Sequence, residues 1–471
     1  MPDKRFSYFV IVTVAVVALM GCGSSESPSE SAPDTGSPPE GLEDCDPYEE
    51  GTDLNVCTAT YLGQSDGEVK SLAIDEEGTI WVGGNWDEAP GPEVDGDGSG
   101  PGYVMGLSPA GGEITELFAL DEAMVTATYD ASRGRYLAVT ESHLHLMEGD
   151  EDVAEDIALD GISEVDADQG YTVVLRGQQW ILFDAAGEEL NAVSVERSNV
   201  RDVAIDGERK LVFVTGFDQV SGDLQQPFLF AYDFEGQLQW SGWDWSAGEA
   251  DDLSSDTRGT GVSVGLDGEL YYVGESHGGV TTHVRDPQDL EKEAPISRTD
   301  AYSESHNWNG AAPLGFVARL NPETGEMEGA KLLAVRLSDG RGNGVSPQSV
   351  TARSDGTMLL GGDSACCIER WEERRVAGQR AMPEYGGGQW AMVLSADFEE
   401  RPIWTTFRAD ASEVEFGAIA AHDDTLAVAM THRPRSEEEA LSGRMVGANA
   451  MNGQPTGNVS SAYLTVFPGP D

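Results

Sequence analysis

The chain has 471 residues and a formal charge of −56, from 84 acidic against 28 basic side chains. No broad basic face can be built from that balance, which excludes a nucleic-acid or anionic-membrane binder. With 39% hydrophobic and 8% aromatic residues and 57 glycines, the chain is no acidic disordered tail and has material for a large core. Only five of the basic residues are lysines, and such an acid-rich, lysine-poor surface stays hydrated in salt, where its self-repulsion is screened.

Lys4 and Arg5 precede an uncharged apolar run from Phe6 to Leu19, followed by Leu19-Met20-Gly21-Cys22. A charged start and a run too short to span a membrane comfortably read as a signal peptide over 1–21. The Leu-x-Gly-Cys ending resembles the bacterial lipobox. That resemblance implies cleavage before Cys22, a diacylglycerol on its thiol and a further acyl chain such as palmitate on its amine, a stable anchor. Gly23 and Ser24 follow, with no aspartate after the cysteine, and in Gram-negative lipoproteins that favours the outer membrane. Residues 22–56 are rich in Ser, Pro and Glu and read as a tether, because they have too little apolar surface to offset their ordering entropy.

From 57 to 471 the pattern is all-β, with short alternating apolar runs separated by Gly, Asp and Asn turns. Two phrases alternate. The first recurs as VKSLAIDEEGTIWVGGN (69–85), VRDVAIDGERKLVFVTG (200–216), GVSVGLDGELYYVGE (261–275), QSVTARSDGTMLLGGD (348–363) and GAIAAHDDTLAVAMTH (417–432). The second includes YVMGLSPAGGEITELFAL (103–120), WILFDAAGEELNAVSV (180–195), FLFAYDFEGQLQW (228–240) and GFVARLNPETGEMEGAKLL (315–333). Together they predict four-stranded antiparallel blades beginning near 69, 123, 162, 198, 257, 346 and 414: a seven-bladed β-propeller. The seventh ends in AYLTVF (462–467) without room for a fourth strand, and CTATYLGQ (57–64) is a strand to spare. Pairing the two would complete the last blade and remove an exposed edge. The stretch GVSVGLDGELYYVGES with GFVARLNPETGEMEGAKLL resembles the bacterial seven-bladed β-propeller repeat family, which implies an exported propeller and no shared catalytic residues. A two-sheet sandwich or several small β domains is the alternative arrangement.

Five additions, 86–102, 217–227, 276–314, 364–388 and 433–461, all fall between the second and third strands of a blade. They are expected to crowd one face around the central channel, and long loops on a rigid scaffold are where binding resides. Residues at the exits of the second strands (Asn85, Asp87, Asp218, Glu275, Asp363 and His432) should ring that mouth and offer oxygen ligands to Ca²⁺. Asp95-Gly-Asp97-Gly-Ser99 imitates the opening of a calcium loop but lacks the glutamate at its twelfth position, where Gly106 falls. His277, His283 and His306 lie in the longest addition and, with Glu275 and His432, have the chemistry of a transition-metal site, although their spacing matches no compact motif. Trp86, Trp308, Trp371 and Trp390 fall in or beside the additions and are expected to stack on a sugar or anchor a protein. His143 and His145 read as ordinary strand residues.

Without Cys22, four cysteines remain, and three pairings exist for an oxidising compartment. Cys57 is expected near the short-turn face and Cys366 and Cys367 on the other, which favours Cys45–Cys57, a closure worth about 3 kcal/mol, with a vicinal Cys366–Cys367. No nucleophile elbow, zincin pair, phosphate loop or dinucleotide fingerprint occurs. The sequence therefore predicts a monomeric, lipid-anchored propeller that binds a protein, glycan or matrix partner, the competing reading being a metal-dependent hydrolase or lyase at the channel mouth.

Overall fold

The computed structural model describes residues 53–63, 65–91, 100–148, 155–221, 224–246, 248–249, 253, 255–304, 312–381, 387–408, 413–422, 425–433, 445–451 and 460–470. The signal segment 1–21 and the tether as far as residue 52, with Cys22 and Cys45, lie outside them. Among the described residues there is no α-helix, and the strands form seven sheets of four or five strands with three small accessory sheets.

The seven first strands are Gly67–Ile74, Met124–Asp130, Ile162–Asp168, Asn199–Asp206, Asp256–Val264, Val345–Ala352 and Glu413–His422. Each pairs antiparallel with the strand that follows it. The recurring Asp and Gly of the sequence are the hairpins between first and second strands. In the first sheet Asp75 Oδ1 accepts the Thr79 amide at 2.7 Å, its Oδ2 accepts Trp81 Nε1–H at 2.9 Å, and Gly78 takes a φ of 82° that a side chain would resist. Many of the chain's carboxylates are thus turn caps.

A second repetition is invisible in the sequence. Every first strand carries a β-bulge near its start, at Lys70, Val125, Ser163, Arg201, Thr260, Gln348 and Gly417, where one residue is left without a partner in the ladder. A bulge bends its strand and re-aims the extra side chain.

Each first strand packs beside the next, and Gly67–Ile74 lies beside Glu413–His422. Side chains stitch these neighbours together. Asp166 Oδ2 accepts the Ile205 amide at 3.0 Å, Asp202 Oδ2 accepts the Val262 amide at 2.8 Å, and Thr431 Oγ1 accepts the Val69 amide at 3.1 Å. Burial pushes the carboxyls of Asp166 and Asp202 up to about 7. The apolar clusters lie between successive sheets, as sheets stacked on their inner faces require.

The last sheet is composite. Thr58–Leu62 pairs antiparallel with Ser461–Pro468, which pairs with Thr425–Arg433 and through it with Glu413–His422. Tyr61 is buried there; its hydroxyl accepts the Met445 amide at 3.0 Å, and its ring meets Tyr463 edge-on at 5.6 Å.

The additions depart from expectation in two ways. Residues 217–221 and 224–227 are no loop: Leu211–Ser221 and Leu224–Asp233 pair as one long ribbon, with Asp218 opposite Gln226. The described parts of three others form short strand pairings of their own. Ile296–Ser297 adds in parallel to Met327–Leu333 at the outer edge of the fifth sheet. Arg375–Val376 pairs with Asp53–Leu54, and Ala448 bridges Ala59 in the outermost strand of the last sheet. In the fifth and last sheets the outer strands offer unpaired backbone groups, which these segments satisfy.

Candidate functional site

Three of the bulges converge. Arg201, Thr260 and Gln348, the extra residues of the fourth, fifth and sixth first strands, line one cavity of 370 Å³ together with Phe217, Arg258, Glu275 and Asp363. The cavity opens where first strands begin and second strands end, the rim from which the long additions depart. Of the expected ring residues, only Glu275 and Asp363 meet here.

Arg258 and Glu275 stand opposite each other in paired strands. Arg258 Nη1 lies 3.2 Å from Glu275 Oε1, and its Nε donates to Gln225 Oε1 at 2.6 Å. His277 Nε2 also meets Glu275 Oε1, at 2.9 Å. Burial alone would raise the Glu275 carboxyl, but hydrogen bonds from His277 and Ser346 and the nearby positive charges outweigh it and hold it below the usual range. Phe217 is shared by two guanidinium groups, Arg201 at 5.2 Å and Arg258 at 5.3 Å from its ring centroid, a cation–π arrangement that fixes both heads. Asp363 has no such partner among the described residues. Burial raises its carboxyl against the smaller pulls of the Ser364 amide and the Arg408 charge, and its side chain receives a long 3.4 Å bond from Gln389 Nε2.

Other expected site residues serve the fold. Asn85 is spent on Met124, donating to its carbonyl and accepting from its amide. Trp86, expected on the binding face, is 2% exposed, and its Nε1–H donates to the Leu62 carbonyl at 3.2 Å. A strand-exit position on the inward side of its sheet carries a packing residue. His432, expected at the mouth, is fully buried, its Nδ1 3.4 Å from the Tyr61 hydroxyl. Trp390 is likewise buried, against Trp404, and half-buried Trp371 packs against the same core.

His283 is buried with its ring stacked on Phe316 at 4.3 Å; burial pushes it down to about 3, so it stays neutral. Asp87 is exposed, and its amide bonds to the Asp66 carbonyl. Asp218 lies in a separate hollow of 260 Å³ with Arg197 and Trp245 and accepts the Ser198 hydroxyl. Asp95, Asp97, Ser99, His306 and Trp308 lie outside the described residues. Among the described residues no three His, Cys, Asp or Glu side chains are placed to hold a metal; Glu275 and His277 touch, but His283 and His432 are spent in separate cores.

Cys366 and Cys367 form a vicinal disulfide with Cα atoms 3.7 Å apart, and Asn343 Nδ2 donates to Cys366 Sγ at 3.3 Å. Cys57 is disulfide-bonded; the expected partner Cys45 is outside the described residues.

No protein-family model matches the chain, and no curated protein does. The chain is similar to the crystal structure of the Saccharomyces cerevisiae Sqt1. The TM-score is 0.46 at 10% identity, over 88% of this chain and 99% of that one.

Arg201, Phe217, Arg258, Thr260 and Gln348 were not found from the sequence. For Arg201, Thr260 and Gln348 the shared signal is the bulge, one extra residue after the start of each first phrase, which no residue type marks.

Proposed function

We propose that the chain is a seven-bladed β-propeller, lipid-anchored through Cys22 at the outer membrane, that acts as a binding module for a protein, glycan or matrix partner. Seven sheets with seven equivalent bulges support the blade count. The pairing of Thr58–Leu62 with Ser461–Pro468 supports closure through the last blade. The anchor rests on the sequence from Lys4 to Cys22. The observation that carries the binding reading is the preformed polar cavity at Arg201, Arg258 and Asp363, a concave site on the rim where the additions begin. With two guanidinium groups held on Phe217 and a carboxylate across from them, the site is built to recognise charge.

The test has two arms. In a Gram-negative host, labelled palmitate should enter the wild type and not Cys22→Ala, which should lose its membrane fraction; equal labelling removes the anchor. Purified envelope proteins and polysaccharides are then presented to the wild type and to Gln348→Trp, which fills the cavity mouth from an exposed position. Retention of a purified component by the wild type, lost in the variant, is expected. Retention that the variant leaves unchanged sinks this site as the binding surface.

A further inference from the structure

We propose that the cavity binds a small zwitterion, a ligand carrying a carboxylate and an ammonium group on one compact skeleton, as a free α-amino acid does. This rests on the binding reading above and names its ligand.

The charges of the cavity are unevenly matched. Arg258 and Glu275 neutralise each other at 3.2 Å, so that pair has little left to offer. On one side, Arg201 lies over the Phe217 ring, and its side chain has no ion pair or hydrogen bond among the described residues. On the other, Asp363 has no ion pair among the described residues; its carboxyl receives the long contact from Gln389 and the smaller pulls of the Ser364 amide and the Arg408 charge. The fourth sheet supplies the unmatched cation and the sixth the unmatched anion, with the fifth between them. The complementary ligand carries both signs: its carboxylate meets Arg201 in the charge-assisted geometry guanidinium favours, and its ammonium meets Asp363.

The field of the whole molecule narrows the class further. A net anion is repelled by a chain of charge −56, and a net cation meets the unmatched Arg201 guanidinium at the mouth. A zwitterion has no net charge, so neither term opposes it. Phe217 and Pro347 supply an apolar wall for its side chain. Burial has already raised the Asp363 carboxyl, and an ammonium beside it would bring it back down. Arg201 reaches the cavity only because its strand bulges at that residue.

The experiment is calorimetric titration of the full chain with alanine, phenylalanine and lysine, beside N-acetylalanine, which keeps only the carboxylate, and alaninamide, which keeps only the ammonium. Saturable binding of at least one free amino acid is expected in the millimolar range or tighter, with each blocked analogue weaker by about tenfold or more. Arg201→Gln should erase the advantage of alanine over alaninamide, and Asp363→Asn its advantage over N-acetylalanine. Melting curves that match the wild type show that these variants fold. Equal binding of the blocked analogues, variants without effect, or no saturable binding by any free amino acid overturns the proposal. If Gln348→Trp still abolishes retention of an envelope component while no amino acid binds, the binding reading stands and only this ligand falls.

Discussion

Asp202 Oδ2 accepts the amide of Val262, 2.8 Å away and 60 residues along the chain, so the first strands of the fourth and fifth sheets are joined by a carboxylate and not by a ladder. Arg201 is the bulged residue beside it. The Asp202 carboxyl is pushed up to about 7, as is that of Asp166 at the preceding junction. An acid whose folded value is raised contributes its full stability below about pH 4 and loses it as pH rises through about 7. Carbon-13 NMR of the aspartate carboxyls should show two groups titrating together near 7 instead of near 4. Ordinary midpoints for all aspartates would contradict the junction chemistry.

His283 has the opposite dependence. Its folded value of about 3 lies below that of an unfolded histidine near 6.5, so stability present at neutral pH is lost as pH falls from 6.5 toward 3, by about 3 kcal/mol at pH 4. His283→Phe keeps the stack on Phe316 but leaves the Tyr272 hydroxyl, now 3.1 Å from Nε2, unpaired. The variant should be about 1–3 kcal/mol less stable at pH 7 and equal to the wild type or better at pH 4. Urea titrations at the two pH values give the comparison; a constant difference would mean the ring is not neutral.

Tyr61→Ala should cost about 3–5 kcal/mol, because it removes a buried ring and orphans the Met445 amide. Asp87→Ala, at an exposed residue of a strand exit, should change stability by no more than about 0.5 kcal/mol. Trp86→Ala, one residue earlier, should behave like Tyr61→Ala. Chemical denaturation of the three variants separates the packed exits from the solvated ones.

Arg258→Ala should destabilise by about 1 kcal/mol, since the pair is partly solvated, and the Glu275 carboxyl should rise when its cation is lost. A pH titration of the variant that leaves Glu275 unchanged would show that His277 and Ser346 alone set its value.

Non-reducing peptide mapping should recover Cys366 and Cys367 in one peptide, two hydrogens lighter than its reduced form. A Cys57–Cys366 cross-linked peptide would contradict the fold.

How much of this was legible follows from which interactions leave a mark on residue types. The first strands were found within a few residues of their starts, because Asp75, Gly78 and their counterparts are required by turn geometry. Arg201 and Gln348 were missed because a bulge shifts direction without changing composition. Trp86 and His432 were misplaced because a strand exit was read as solvent, whereas alternation turns both side chains inward. The route of 276–314 to Ala330 is decided by an unpaired strand edge in the folded chain, and no local pattern announces it.

The composite last sheet sets an order on assembly. Residues 58–62 are made long before their hydrogen-bonding partner, 461–468. Until then the strand has no ladder to join, and Tyr61 has neither Met445 nor Tyr463 to pack against. That joint therefore cannot form until residues 461–468 have been synthesised. A chain cut anywhere before residue 461 leaves the early strand with nothing to close upon.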